Sequence, residues 1–273
     1  MKKWVDIASY TSDTYDFPTE ISDFLSKYTK YDLVIPVFHG IYGEDGQVTA
    51  FLATLGCKYA YSDLETHTLC IDKNLTNLAL WDINIKIPES IFIKQGSTLN
   101  IDLTNTTFPL IVKPNRWGSS LNTTKISSEI ELNKAIWAIT DDDILIQKCI
   151  EWEEYTVGVY RDNLWTHILP IIEIVTIKQD FFDYEEKYES DGSNEIFSNI
   201  ESWLRNTLET ISIQIYDYLR CRGVVRMDYR YDGKDLYFLE VNTIPGFTSR
   251  SLIPKMWKKA GKTEKEFVDM LNI

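Results

Sequence analysis

The stretch from Val224 to Asn242 constrains this chain more than any other. Two runs, Val224–Tyr231 and Leu236–Asn242, flank Asp232-Gly233-Lys234-Asp235, which predicts a β-hairpin. Side chains two apart on a strand share a face, so Arg226 and Asp228 point one way together, as do Glu240 and Asn242. A loop confined to Gly233, Lys234 and Asp235 would set Asp228 opposite Glu240 and Arg226 opposite Asn242. A slip of one residue would send one of these pairs to the other face. Facing carboxylates repel unless a cation lies between them. Asp, Glu and an Asn carbonyl are hard oxygen ligands suited to Mg²⁺, which completes its shell with water and substrate phosphates. A polar, solvent-facing hairpin with Arg226 in a surface ion pair satisfies the same spacing, so spacing alone leaves both readings open.

Upstream, the pattern predicts helices and strands mixed without strict βαβ alternation, an α+β chain in three pieces. Asp32 to His39 is a branched apolar run that reads as a buried strand. It enters the glycine-rich loop HGIYGEDG at 39–46. Val48, Phe51, Leu52 and Leu55 mark a helix face that Gly56 ends, and Ser62-x-x-Glu65 is a capping-box pattern for a helix through about Leu80. Leu110–Lys113 and Ile144–Lys148 read as strands around a helix capped by Ser128-x-x-Glu131. Further strands are expected at 155–160 and 164–175. Glu195 to Cys221 carries the longest helical spacing, with Gly223 as its stop, and Thr263-x-x-Glu266 opens the final helix.

Composition narrows the function classes. The 273 residues include 28 Lys plus Arg against 41 Asp plus Glu, a net charge of −13. That balance argues against a general nucleic-acid binder, which needs a basic face. Cys57, Cys70, Cys149 and Cys221 form no C-x-x-C pair, and His39, His67 and His167 are dispersed. A reducing cytosol is therefore expected, without a disulfide framework or zinc site. No apolar run reaches membrane-span length, so a cytoplasmic protein without membrane insertion is expected. Two other segments bear on chemistry. Lys113-Pro-Asn-Arg-Trp-Gly-Ser-Ser120 could present a cation and backbone N–H groups to phosphates, or be an ordinary turn. Phe181 to Tyr188 reads either as a flap contributing Lys187 or as a surface loop with aromatic anchors.

Taken in order, these segments resemble the ATP-grasp superfamily, and within it the D-alanine–D-alanine ligases. The resemblance runs through HGIYGEDG, IDK ending at Lys73, IVKPNRWGSS at 111–120, the QK pair 147–148, and EEYTVGV at 153–159. It continues through FDYEEKY at 182–188, VVRMDY at 224–229, and LEVNTIPGFTSRSLIP at 239–254. It implies an ATP-grasp fold of three subdomains, at 1–67, 68–148 and 149–273, with the site between them. The implied reaction activates a carboxylate as an acyl phosphate, using ATP, and an amine then attacks it, as in peptidoglycan biosynthesis. Such chemistry relies on positioning and charge neutralisation.

By the same resemblance, Asp228, Glu240 and Asn242 match the ligands of two Mg²⁺ ions, and Lys73, Lys113 and Lys187 match phosphate-contacting lysines. Arg226 matches the arginine that stabilises the tetrahedral intermediate. Ser251, Leu252 and Asn242 fall at the site of the second substrate. Ser119 and Ser120 lie in a small flap, Gln147, Lys148 and Glu154 match contacts to the base and ribose, and Tyr188 takes the loop position of dipeptide-forming ligases. His39 and Glu44 fall at the acceptor end. Small amino acids are the implied substrates, and the family tendency toward homodimers is the implied assembly.

Three departures stand out. Trp4 to Ala8 resembles the family's second strand, so the first strand, its glycine loop and a substrate-binding Glu have no counterpart here. Leu121-Asn122-Thr123 replaces a small-Gly continuation in the flap, and Gln147 stands where the family commonly has Glu. A ligase for another acid and amine pair, or an inactive nucleotide-binding relative, are the alternatives these departures leave.

Overall fold

The computed structural model describes residues 10–97, 107–118, 122–176, 193–197, 199–248 and 250–272. In chain order the elements are α1 (Ile21–Lys27), α2 (Gln47–Thr54), α3 (Leu64–Ile71), α4 (Lys73–Trp81), β1 (Ser90–Ile93), β2 (Leu110–Pro114), β3 (Thr124–Ile126), α5 (Glu129–Ala138) and β4 (Ile144–Lys148). Then follow β5 (Glu153–Arg161), β6 (Thr166–Ile168), β7 (Ile172–Thr176), β8 (Ser193–Ile196), α6 (Ser202–Tyr218), β9 (Val224–Tyr231), β10 (Leu236–Asn242), α7 (Leu252–Lys259) and α8 (Glu264–Leu271). The chain is α+β, as its pattern predicts.

Two antiparallel sheets organise it. The smaller has the order β1-β4-β2-β3, and α5 covers it with Leu132, Ala135 and Ile136 against Val112, Ile126, Ile144 and Ile146. The larger runs β10-β9-β5-β7-β8, with β6 beside β5. One of its faces buries Tyr155, Val157, Val159, Val225, Met227 and Tyr229 against Leu204, Leu208 and Ile215 of α6. Cys70, Leu80 and Ile85 join that core, so α3 and α4 pack on the large sheet. The opposite face carries α7 at one end. A Cβ on Gly158 would lie 2.8 Å from Ile253 Cδ1 and 3.0 Å from Met256 Sδ, so glycine there lets α7 rest directly on β5.

Several elements depart from the expected pattern. Asp32 to His39 forms no strand, only an isolated bridge between Val34 and Tyr59, because its apolar residues pack among aromatic rings instead of joining a ladder. The helix expected from Ser62 to Leu80 is two helices. Asp72 breaks it, in extended geometry, and its carboxylate accepts from Leu75 N to start α4. The Ser62 capping box does not form, since Ser62 Oγ accepts instead from Arg222 N at 3.1 Å. The long helix expected from Glu195 begins at Ser202, and 193–196 pairs with β7 as a strand. The caps at Ser128 and Thr263 form as expected, the latter with both reciprocal hydrogen bonds. All four cysteines are free. Among the described residues no helix is long and apolar enough to cross a membrane.

Candidate active site

The hairpin is built differently from expectation but ends with the expected pairs. Its loop spans Asp232 to Asp235, with Asp232 Oδ1 accepting from Lys234 N at 3.0 Å and Asp235 N at 2.7 Å. Phe238 therefore faces Tyr229, and a regular ladder would leave Leu239, not Glu240, opposite Asp228. A bulge between Phe238 and Glu240 absorbs one residue, so Glu240 faces Asp228 and Asn242 faces Arg226. Bulged strands turn two successive side chains toward one side. Phe238 and Val241 stay in the core, while Leu239 and Glu240 both line the cleft between the sheets.

That cleft encloses about 760 Å³, its open mouth included, within the usual range of small-molecule sites. Ile111, Lys113, Gln147 and Lys148 line it from the small sheet, and Glu154, Asp228, Arg230, Leu239 and Glu240 from the large one. Lys73, the first residue of α4, reaches in between. Its ammonium donates to the Trp117 carbonyl at 2.6 Å and lies 3.7 Å from Glu240 Oε2. The α4 N-terminus is tied to the loop after β2. Lys73 N donates to Asn115 O, Asn74 N to Asn115 Oδ1 at 2.9 Å, and Arg116 pairs with Asp72.

Asp228 is buried to 8% exposure but well compensated. Thr156 Oγ1 donates to it at 2.7 Å, and the Arg226 guanidinium grips it through Nε at 3.1 Å and Nη2 at 3.0 Å. Glu154 pairs with Arg230, its register partner across β5 and β9. Thus Lys73, Lys113, Gln147, Lys148, Glu154, Asp228 and Glu240, all expected site residues, share one cleft. Arg230, Thr156 and Asn115 were not anticipated. The first two were visible as the next same-face positions after Asp228 and Glu154, whereas nothing in the pattern signals Asn115.

His39 and Glu44 both lie near enough to Arg226 to feel its charge. Burial pushes the Glu44 carboxyl above the usual carboxylate range, Gly40 N–H, Arg226 and Lys73 oppose the shift, and Glu240 adds to it. Gly40 N donates to Glu44 Oε2 at 2.6 Å. Burial and the Arg226 charge hold His39 below the ordinary histidine range, so it is neutral at pH 7. Ser251 precedes Leu252 at the start of α7, and its Oγ accepts from Thr248 N at 3.0 Å. A Cβ on Gly246 would lie 2.8 Å from Ser251 Oγ and 3.6 Å from His39 Nε2, so the Pro-Gly turn brings these groups close. Asn242 Oδ1 accepts from Ile244 N at 3.1 Å. Ser119, Ser120, Lys187 and Tyr188 lie outside the described residues.

Among the described residues no three His, Cys, Asp or Glu side chains cluster as a self-sufficient metal cage. The hairpin donors are of another kind. Two carboxylates and one amide carbonyl are hard oxygens on one face, and they fit a divalent cation that also takes water and phosphate oxygens. The cleft thus brings lysines, carboxylates and apolar walls together with Gln147, an arrangement suited to a nucleoside triphosphate.

Comparison with known proteins shows which family the chain resembles. Residues 83–272 match the family described as D-Ala–D-Ala ligase C-terminus. The D-alanine–D-alanine ligase B of Clostridium perfringens is 30% identical over 253 residues, which cover 91% of this chain and 82% of that protein. The Bacillus anthracis D-alanine–D-alanine ligase complexed with ATP superposes with a TM-score of 0.83 at 29% identity, covering 96% of this chain and 85% of that one. The VanG D-Ala:D-Ser ligase of Enterococcus faecalis gives 0.78 at 32% identity, covering 88% and 71%.

Proposed function

The chain belongs to the D-alanine–D-alanine ligase family, and on that premise we propose how its residues divide the work of an ATP-dependent carboxylate–amine ligase. The reaction is D-alanyl-D-alanine formation for peptidoglycan biosynthesis: ATP phosphorylates the carboxylate of one amino acid, and the amine of the second displaces phosphate from the acyl phosphate. The observation that carries the assignment is the bulged hairpin, which sets Asp228, Glu240, Arg226 and Asn242 as two facing pairs on one face.

Lys73 and Lys113 neutralise the phosphates, Lys73 being aimed by the Trp117 carbonyl and near enough to Glu240 to share its charge. Asp228, Glu240 and Asn242 would hold Mg²⁺, two ions by the family pattern. The metal supplies charge neutralisation on the transferring phosphoryl group. Arg226, fixed on Asp228, donates to the oxyanion of the tetrahedral intermediate. Ser251 and the backbone N–H of Leu252 receive the carboxylate of the second amino acid, near the N-terminus of α7. His39, neutral at pH 7, accepts a hydrogen bond from the incoming amine, and Glu44 lies at the same end. Gln147, Lys148 and Glu154 contact base and ribose. Flap contacts by Ser119 and Ser120, and loop roles for Lys187 and Tyr188, belong to the same reading. So do the three subdomains at 1–67, 68–148 and 149–273, a cytoplasmic location and a homodimer.

The test is phosphate release with ATP and Mg²⁺, first alone, then with D-alanine, then with D-alanine plus D-serine, with products identified by mass spectrometry. D-alanine-dependent release with dipeptide formation supports the assignment, and D-alanyl-D-serine would move only the second substrate. Tight ATP binding without release under any of these conditions refutes it.

A further inference from the structure

His67 of α3 lies buried between two segments that both lead into the site. On one side its Nδ1 meets Thr243 Oγ1 at 2.7 Å, and neither residue is more than 2% exposed. Thr243 follows Asn242, inside the turn that Asn242 Oδ1 closes on Ile244 N. On the other side the 39–46 loop rests on α3. A Cβ on Gly46 would lie 2.8 Å from Leu64 Cδ1 and 3.2 Å from His67 Cβ, and Thr68 Oγ1 donates to Asp45 O at 3.3 Å. That loop is braced internally by Glu44 N on Gly40 O and Gly46 N on Gly43 O, both at 3.0 Å, so it shifts as a unit with whatever supports it. The two segments meet again in the site, where Gly246 comes close to both His39 Nε2 and Ser251 Oγ. The support itself is fixed, since Thr66 Oγ1 of α3 donates at 2.9 Å to Leu219 O, just past α6.

We propose that His67 is a positioning residue: it sets the spacing between the 39–46 loop and the turn from Asn242 to Thr248, and so shapes the pocket for the second amino acid. The inference rests on the ligase reading for what that pocket holds. The geometry stands without it. One side chain supports the loop of His39 and Glu44 at its Cβ and the turn leading to Ser251 through its ring. A hydrogen bond fixes distance and direction together, whereas an apolar contact at the same place would let the turn slide. Without the bond, the groups at the two ends of the incoming amino acid lose their register. A misplacement of about 1 Å caused far from the chemistry costs up to about 10²-fold in rate. ATP is assigned to the cleft between the sheets, so its binding is not expected to follow.

The experiment compares the full chain with Thr243→Val, His67→Leu and His67→Asn. The first two keep bulk and delete the bond from either end, and Asn sets an amide atom at the place of Nδ1. Phosphate release is followed against D-alanine concentration at saturating ATP. ATP binding is measured by calorimetry, and amide hydrogen exchange across the chain by mass spectrometry. Thr243→Val and His67→Leu should each lower kcat/KM for D-alanine by about tenfold or more, mainly through KM, with ATP affinity within about twofold of wild type. His67→Asn should restore KM. In the first two variants exchange should rise by about tenfold in both 39–46 and 242–248, the order set by one lost buried hydrogen bond. Thr243→Val should show this in 39–46 although the substitution lies on the other side of α3. A role in fold stability alone gives lower kcat, faster exchange throughout the chain and an unchanged KM. That result, or unchanged exchange at 39–46 in Thr243→Val, overturns the proposal. If His67→Leu does not fold, Thr243→Val decides on the same criteria. The expected exchange pattern without D-alanine-dependent turnover in any of the four proteins keeps the positioning role and refutes the ligase reading instead.

Discussion

His67 should make this fold sensitive to acid. The side chain comes from α3, is fully buried, and meets Thr243 Oγ1 at 2.7 Å through Nδ1, while Nε2 has no partner among the described residues. Burial lowers its pKa from 6.5 to about 4, against opposing contributions from the Ser62 backbone, Asp63 and Asp45. Between those values the unfolded chain binds the proton and the folded chain does not, so lowering the pH favours unfolding. The loss begins near the unfolded value of 6.5 and is complete at about pH 4. At about 1.4 kcal/mol per unit the whole shift is worth about 3 kcal/mol, of which about 2.5 kcal/mol is lost by pH 4.5. His67→Gln keeps a hydrogen-bonding group for Thr243 and removes the titration. Urea unfolding of both proteins at pH 7.5, 6.5, 5.5 and 4.5 should show the wild type losing about 2.5 kcal/mol more than the variant across the series. Stability curves that stay parallel to within about 0.5 kcal/mol would refute the reasoning, because other titrating groups are common to both chains.

Other outcomes follow from the same geometry. Arg226→Ala should slow turnover by about 10²-fold or more, as loss of an oxyanion donor does, while calorimetric ATP affinity is largely kept; near-normal turnover would remove its assigned role. Thr156→Val deletes the 2.7 Å hydrogen bond to Asp228. It should lower the unfolding free energy by about 1.5–3 kcal/mol in a urea titration, the worth of a bond to a charged group. Glu44 has its pKa raised by burial, so its ionised form is penalised in the folded state, and stability falls as pH rises above the unfolded carboxylate value. Glu44→Gln should therefore gain on the wild type between pH 4 and pH 8 in thermal melts, with no gain at lower pH. Glu240→Gln should weaken Mg²⁺-dependent nucleotide binding, since one anionic oxygen ligand is lost; an unchanged Mg²⁺ titration would count against the hairpin as the metal site.

How far the sequence could be read depended on whether local chemistry or tertiary contact decided each element. The β9–β10 hairpin was legible because alternation and a DGKD turn are local signals. Its pairs came out as expected, although the loop has one more residue than expected and the bulge before Glu240 compensates. Nothing local marks that bulge, since Leu239 looks like any other strand residue. The Ser62 cap failed for a tertiary reason, its hydroxyl being taken by Arg222 N. At Glu195 to Ile200, apolar spacing that continues the helical period of α6 belongs partly to a strand, because pairing with β7 outweighs propensity. In the site, Asp228 and Glu240 were readable from alternation within the hairpin, and the lysines from their places at strand and helix ends. Arg230 could be placed as the next same-face position after Asp228, but its partner Glu154 follows only from the β5–β9 register. Asn115 acts through its side-chain oxygen on a helix that lies elsewhere in sequence, a relation no spacing encodes.

The tie between α4 and the loop after β2 has a mechanical consequence. Asn115, Arg116 and Trp117 are held to Asp72, Lys73 and Asn74 by several short bonds at one end of the small sheet. A rotation of that sheet against the large one costs least when it turns about this pinned corner, because turning about any other axis would break those bonds. Points near a pivot travel little, and points far from it travel most. Lys73 and Glu240 lie close to that corner, so a turn about it would change their spacing little, whereas Gln147 and Lys148 at the far end of β4 would travel further. Such a turn would work the cleft as a caliper, with the Lys73 end as its fixed jaw and the Gln147 end as the one that adjusts.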